Sequence, residues 1–422
     1  MVFLGILFIT GCSSPDNSSS GGGGGGGDNV TIIDRASGML MTCQFVNKSS
    51  YSDDQVWITA YCQNSTPKYC SIHKDGSLVT ATTDGEALKT YSLSELKGSG
   101  YQFPTYMNSA RLYVTYGTAT VPITFANAAS TGVTGPSSAS SDSAVGYGKY
   151  WDFIEFAVVL PAHTDFNVNT STVDEFGIPI YLKLYNDAMT LVAATGITKS
   201  RETVFSLWNA RSSSDLPDLF KNLAKDSYKI ISPNLISSSV SGDYAYITNI
   251  ATYRSNLQSY FDSYLTHIWT TYNSSTDSSK YFEFTIGANT YKAYTNGSDT
   301  MNCYKNGTSV GTITKPSSSD VWGLATGSLK CVNGETDMNI FKKYLGAVLH
   351  RNMIEYGWAT SNSSSRPYYT VDGSYKVMNY YSKFWHSISD DGKAYGFSYD
   401  DVNGENTTVA STTPRALVVY LY

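Results

Sequence analysis
Between residues 38 and 181 the hydrophobic positions alternate with polar ones or run on in short stretches bounded by turn residues. Gln55-Val-Trp-Ile-Thr-Ala-Tyr61 and Arg111-Leu-Tyr-Val-Thr-Tyr116 are rich in β-branched and aromatic side chains, which fit a pleated, half-buried surface. Asp75-Gly76, Asp84-Gly85 and Thr134-Gly135-Pro136 punctuate these runs as turns. Residues 128–146, dominated by Ser, Ala and Gly, read as a long surface loop. After Tyr185 the period changes to three-and-four. Val204, Phe205, Leu207 and Trp208 predict one helix. Leu216, Leu219, Phe220 and Leu223 predict a second, with Ser214 or Asp215 as N-cap and Pro217 in its first turn. The strongest helical pattern covers 252–272 and a last one 337–353. Asn296-Gly297 and Asn306-Gly307 suit hairpin turns. Strand signals return in Lys393-Ala-Tyr-Gly-Phe-Ser-Tyr399 and Ala416-Leu-Val-Val-Tyr-Leu421. This order predicts a mainly β protein with an α+β part. Residues 30–188 and 388–422 form a β domain closed by the C-terminal strands, and residues 189–387 a mixed α/β domain.

The N-terminus carries a different signal. Residues 2–9 are almost wholly apolar, within the length of a secretory core and too short to span a bilayer. They lead into Ile9-Thr10-Gly11-Cys12, which resembles a bacterial lipobox, although no Lys or Arg precedes the apolar run. The resemblance implies a signal peptide over 1–11 and a lipidated Cys12. Residues 12–29 then form a Ser/Gly-rich tether containing seven consecutive glycines. Ser13 and Ser14 after the cysteine imply the outer membrane or outer face of a bacterium; cleavage and secretion is the alternative. Apart from this anchor no membrane contact is expected. Five further cysteines remain, and Cys62 with Cys70 or Cys303 with Cys331 could close loops.

Composition narrows the partner. Charged residues are 15% of the 422, aromatics 14% with 34 Tyr, and the net charge is −6. A chain this aromatic and weakly charged is not disordered, and an acidic balance argues against nucleic acid. Abundant Tyr, Trp, Ser, Thr, Asn and Gly suit a neutral polymer, with polysaccharide foremost. The scattered histidines and the lack of C-x-x-C give no support for a metal or other cofactor, and no G-x-S-x-G marks a serine hydrolase.

Two acidic segments carry candidate chemistry. In Tyr150-Trp-Asp-Phe-Ile-Glu155-Phe-Ala-Val-Val159 the strand period points Glu155 to one face with Phe153 and Ala157. Apolar neighbours should raise its proton affinity, as a general acid requires. In Asn169-Thr-Ser-Thr-Val-Asp174-Glu-Phe-Gly-Ile-Pro179 polar neighbours should keep Asp174 ionised, as a base requires. Two carboxyls in unlike settings are what glycosidic hydrolysis needs.

The stretch from Trp151 to Ile180 resembles the signature of glycoside hydrolase family 64, the laminaripentaose-producing β-1,3-glucanases. Other segments match in family order: Phe45-Val-Asn-Lys-Ser, Ser109-Ala-Arg111-Leu-Tyr, Tyr228-Lys-Ile-Ile-Ser-Pro233, Ala347-Val-Leu-His-Arg351-Asn and Tyr395-Gly-Phe-Ser-Tyr-Asp-Asp-Val402. The resemblance covers about 38–422. It implies an inverting endo-type β-1,3-glucanase, monomeric and without cofactor, with Glu155 and Asp174 as catalytic pair. The same landmarks are similar to thaumatin-like proteins. That likeness implies a thaumatin-like β-sandwich or barrel and one groove collecting Arg111, Glu155, Asp174 and Asp400 or Asp401. Asn169 and Tyr399 lie in the same motifs and are further expected substrate contacts. Ala157 departs from the Thr usual in the hydrolases. Trp151, Trp358 and Trp385 are either sugar platforms or core, and His386 is more readily a buried structural histidine. The alternative function is a non-catalytic glucan-binding surface lipoprotein.

Overall fold
The computed structural model describes residues 30–422 except 118–119, 138–147, 160–164, 226, 239–243, 245, 275–279, 298, 325–328, 333–334, 354–368 and 370–375. Cys12 and its tether, residues 138–146 of the 128–146 loop, and Trp358 thus lie outside the described residues; the rest of that loop includes a short strand, Val133–Thr134.

Two sheets pack face to face. The smaller runs Leu191–Gly196, Ile180–Asn186, Pro414–Leu421, Met41–Asn47, Tyr101–Phe103. The C-terminal strand lies between Ile180–Asn186 and Met41–Asn47, parallel to the latter with Thr42 opposite Ala416. The larger sheet runs Val409–Ser411, Asp165–Thr170, Tyr150–Val159, Asn108–Tyr116, Val56–Gln63, Tyr69–Ile72, Leu78–Val79, and Thr90–Ser92 also pairs with Val56–Gln63. Alternation decides what faces what. Leu112, Val114, Ile154, Phe156 and Val168 join the core between the sheets, where Phe156 stacks on Phe103 at 4.7 Å. Tyr61, Tyr113, Trp151 and Phe153 belong to a separate cluster on the outer face of the larger sheet.

The mixed part has its own core. Helices Arg201–Ala210, Ile250–Gln258, Asp262–Thr271, Glu335–Arg351 and Tyr380–Ile388 pack with an antiparallel sheet of Phe282–Ile286, Asn289–Thr295, Thr300–Lys305, Thr308–Thr314 and Cys331–Val332. Trp208, Phe261, Tyr264, Phe341, Tyr381 and Trp385 lie buried there. Asn306 and Gly307 both adopt positive φ, the requirement of the hairpin turn their sequence suggested.

Four expectations need correction. The single helix over 252–272 is two, because Ser259 leaves helical geometry (ψ 0°) and the Ser318 hydroxyl accepts the Phe261 N–H and donates to the Asp262 carboxylate, starting a new helix. Pro217 is the N-cap of a short helix, Asp218–Lys221, and lies outside its first turn. Residues 393–399 form a loop, not a strand, because the Gly396 N–H is spent on the Asp400 carboxylate at 2.9 Å. Cys303 and Cys331 stand on strands with Thr308–Thr314 between them, a separation of two strand spacings, wider than a disulfide reaches. Cys62 and Cys70 face each other across two strands, both as buried free thiols.

Candidate active site
Strand register assembles the first half of the site. Tyr61 is opposite Arg111, Arg111 opposite Glu155, and Glu155 opposite Asn169. Four strands thus contribute one transverse row to the larger sheet. The Arg111 guanidinium donates from Nε (3.1 Å) and Nη2 (2.8 Å) to the same Glu155 oxygen, Oε1, and Oε2 takes neither bond. It lies over the Phe153 ring at 4.4 Å, and its Nη1 reaches the Tyr113 hydroxyl at 3.4 Å. Tyr61 stacks on Tyr113 in turn. Burial works against the charge on Arg111, but Glu155 overrides it and holds the guanidinium well above its ordinary value.

Asp174 comes from the segment that leaves this sheet for the mixed part, and both sides hold that segment. From the mixed part Ser232 N–H donates to the Asp174 carbonyl at 2.9 Å, and the Thr172 N–H and hydroxyl both donate to the carbonyl of Tyr395 in the C-terminal segment. On the sandwich side Asp152 accepts the N–H groups of Gly177 (3.0 Å) and Ile178 (3.1 Å). Gly177 is required here, since a Cβ would sit 2.1 Å from the Trp151 carbonyl oxygen. Next to Asp174, Glu175 meets Lys229 in a 2.7 Å ion pair whose side chains are 1% and 2% exposed. The Lys229 ammonium lies 3.9 Å over the Trp151 ring. So Trp151 is corrected from sugar platform to a buried wall of this ion pair, 3% exposed.

The electrostatics run against the expectation that Asp174 stays readily ionised. Phe153 and Ala157 do flank Glu155, but the Arg111 cation sits directly across the ladder from it. It is Asp174, half-buried at the surface yet deep among protein atoms, whose carboxyl burial pushes up; Arg111 pulls it down and Glu155 pushes it up further. Asp174 interacts electrostatically with Arg111 and Glu155, and the Tyr113 phenol with all three.

Asn169 is brought to the row, 4% exposed, with no hydrogen-bond partner for its Oδ1. Asp400 is corrected from substrate contact to structural node. It is fully buried and accepts from Arg351 Nη2 (2.8 Å), Ser382 Oγ (2.8 Å) and Gly396 N–H, with His386 Nε2 at 3.1 Å. His386 is thereby structural, and Trp385 is core at 1% exposure. Asp401 and Tyr399 are half-buried beside Lys343, which pairs with Asp401 at 3.1 Å and lies 5.8 Å over the Tyr399 ring.

Sequence reasoning missed Tyr61, Tyr113 and Tyr395. Tyr113 was accessible, because the strand period puts it on the face of Arg111. Tyr395 was not, since a loop delivers it to the neighbourhood of Glu155 and Asp401. A recess lined by Val173, Ser232, Asn234, Trp322, Phe397 and Ser398 lies beside the Asp174 segment.

Two carboxyls, one of them steadied by a guanidinium on the outer face of a sheet, are the equipment that glycosidic hydrolysis uses. The family model for β-1,3-glucanases of glycoside hydrolase family 64 matches residues 39–421, and the chain belongs to that family. It is a β-1,3-glucanase, hydrolysing β-1,3-glucan. Its fold is similar to the β-1,3-glucanase domain of Clostridium beijerinckii (TM-score 0.73, 24% identity, 92% of this chain and 99% of that one). It is also similar to the laminaripentaose-producing β-1,3-glucanase of Paenibacillus barengoltzii, solved free and with laminarihexaose (TM-score 0.61, 21% identity, 92% and 76%). A laminaripentaose-producing enzyme in complex with laminaritetraose matches at TM-score 0.66 and 18% identity, over 91% and 99%. No curated protein sequence matches the chain.

Proposed function
We propose that the enzyme is a monomer that cleaves β-1,3-glucan within the chain and with inversion, releasing oligosaccharides such as laminaripentaose. The observation that carries this is the Arg111–Glu155 pair on the outer face of the larger sheet, with Asp174 in electrostatic contact with both. Glu155 gives its proton to the glycosidic oxygen as the bond from C1 breaks. Asp174 takes a proton from the water that attacks C1 from the other side. That water needs carboxyls about 6.5–9.5 Å apart. Arg111 holds Glu155 in place before substrate arrives, and glucan hydroxyls bind Asn169, Tyr399 and Asp401. Residues 30–188 with 388–422 act as a thaumatin-like β domain, and 189–387 supply the opposite groove wall. Lipidated Cys12 anchors the enzyme to the outer membrane through the glycine tether.

A second assignment of roles is favoured by one observation: burial raises Asp174, while Glu155 lies on a guanidinium. Asp174 would then be the proton donor and Glu155 the base. Kinetics separates the two. Glu155→Gln and Asp174→Asn should each lower curdlan hydrolysis by about 10²–10⁴-fold. On an aryl laminarioside with a good leaving group, the variant lacking the acid recovers activity. The variant lacking the base recovers only with added azide. If Asp174→Asn is the variant spared by the good leaving group, the roles are exchanged. Near-normal curdlan hydrolysis by either variant removes that residue from the mechanism.

A further inference from the structure
The smaller sheet ends at one edge in the hairpin of Ile180–Asn186 and Leu191–Gly196. Among the described residues the exposed large hydrophobics are Val79, Met189, Leu191, Val192 and Tyr281, and three of these five belong to this hairpin. The whole run 187–192 is exposed. It is nevertheless a built turn. Asn186 Oδ1 accepts the N–H groups of Ala188 and Thr190, and Met189 N–H donates to the Asn186 carbonyl. Met189 has φ +58°, a conformation that Gly or Asn adopts with less strain. A methionine is held in a glycine's position and pointed at solvent. These side chains are aliphatic, so stacking on sugar rings, the work of aromatics, is not their chemistry.

The N-terminal segment enters the fold at the same point. Arg35 donates to the carbonyls of Leu40 and Pro414 and pairs with Asp187 of the turn at 3.2 Å. Arg415 pairs with Asp34 and lies 3.8 Å from Asp187. Residues 34 and 35 are therefore tied beside the exposed aliphatic turn, and the residues carrying Cys12 precede them. The four charges of this ring, two Arg and two Asp, cancel.

We propose that the turn 187–192 is a lipid-contact surface, which seats Met189, Leu191 and Val192 in the bilayer that the N-terminus reaches. This rests on the reading of Cys12 as the anchor for its biological setting. Because the charges behind the turn cancel, the contact is apolar and needs no anionic lipid. The catalytic row lies on the outer face of the other sheet, so a seated enzyme keeps its groove open to polymer.

The test holds the tether constant. A full-length Cys12→Ser chain with a hexahistidine tag at its N-terminus is captured on phosphatidylcholine vesicles through a nickel-chelating lipid. An environment-sensitive dye is placed at Leu191→Cys or, as control, Val79→Cys, and quenching by nitroxide lipid is measured. Quenching at 191 should exceed that at 79 by at least about two-fold, persist in high salt, and fall to the control level when Met189→Asp and Val192→Asp are added. Equal quenching at 191 and 79 overturns the proposal. So does self-association that protects 191 without lipid quenching, which would mean that a second copy covers the edge. Sedimentation of the native chain and Cys12→Ser with cell membranes tests the anchor separately, so its failure is distinguishable from failure of the turn.

Discussion
Two buried aspartates flank the catalytic segment, one on each side, and the molecule treats them in opposite ways. Asp152, on the sandwich side, is 4% exposed, and the hydrogen bonds it accepts come from the amides of Phe153, Gly177 and Ile178. Burial outweighs these dipoles and pushes its carboxyl up to about 7. Asp400, in the C-terminal segment but clasped by Arg351 and Ser382 of the mixed part, is fully buried, yet it is held down to about 2. Burial pushes it up as well, but the cationic His386 and Arg351 and the Gly396 amide more than offset that. Backbone amides alone do not keep a buried carboxylate ionised here, and a full charge does. Asp152 therefore grips the Asp174 segment through backbone dipoles, whereas Asp400 is locked by charge.

The largest expected effect is at Asp400. Asp400→Asn removes the buried carboxylate that Arg351 pairs with at 2.8 Å, which costs about 3–5 kcal/mol. Urea unfolding should show this as a large drop in midpoint. A midpoint within error of the wild type would mean that Arg351 finds another anion and that the lock is not electrostatic. The pH dependence follows from the direction of the shift. A carboxyl held below its unfolded value stabilises above that value, so the Asp400 contribution is lost as pH falls from about 4 through about 2.

Much of this arrangement could not be read from sequence. Asp400 looked like a groove residue because it stands in Tyr399-Asp400-Asp401, and no pattern announces that a helix 49 residues earlier supplies its arginine. The helix Tyr380–Ile388 was more legible than the reading allowed, since Asn379 accepts the Ser382 N–H as a cap and Tyr381, Phe384, Trp385 and Ile388 recur at helical spacing. The sandwich was legible because period-two alternation fixes which face a residue takes. Arg111 and Glu155 fall opposite each other as their motifs suggested, but that they make an ion pair needed the register. The proton affinity of Asp174 was not legible: its sequence neighbours are polar, whereas burial in the fold raises it.

Lys229→Met sharpens the comparison by removing a charge that the mixed part brings to the same segment. It removes the ammonium from Glu175 in a pocket closed by Trp151. The single variant should lose about 3–5 kcal/mol, while Lys229→Met with Glu175→Leu should recover most of it. Because Glu175 adjoins Asp174, the single variant should lower kcat on curdlan more than it raises KM. A double variant as unstable as the single one would show that the pair is needed for packing and not for charge balance.

The smallest effect belongs to Asp152, and it is the most discriminating. Asp152→Asn gives up an acceptor for the Gly177 and Ile178 amides, a loss of about 1–3 kcal/mol. The sign of the pH dependence is opposite to that of Asp400. A carboxyl raised above its unfolded value near 3.8 to about 7 retains protons that the unfolded chain releases, so wild-type stability declines as pH rises through that interval. The amide does not titrate. His386, also raised in the folded state because Asp400 outweighs its burial, loses its contribution as pH rises above about 6.5, but equally in both proteins. The stability gap between wild type and Asp152→Asn should therefore be widest near pH 4 and narrow steadily towards pH 8 in urea titrations. Parallel curves would show that Asp152 stays ionised throughout, that its three amides suffice after all, and that the contrast between the two aspartates is not one of dipole against charge.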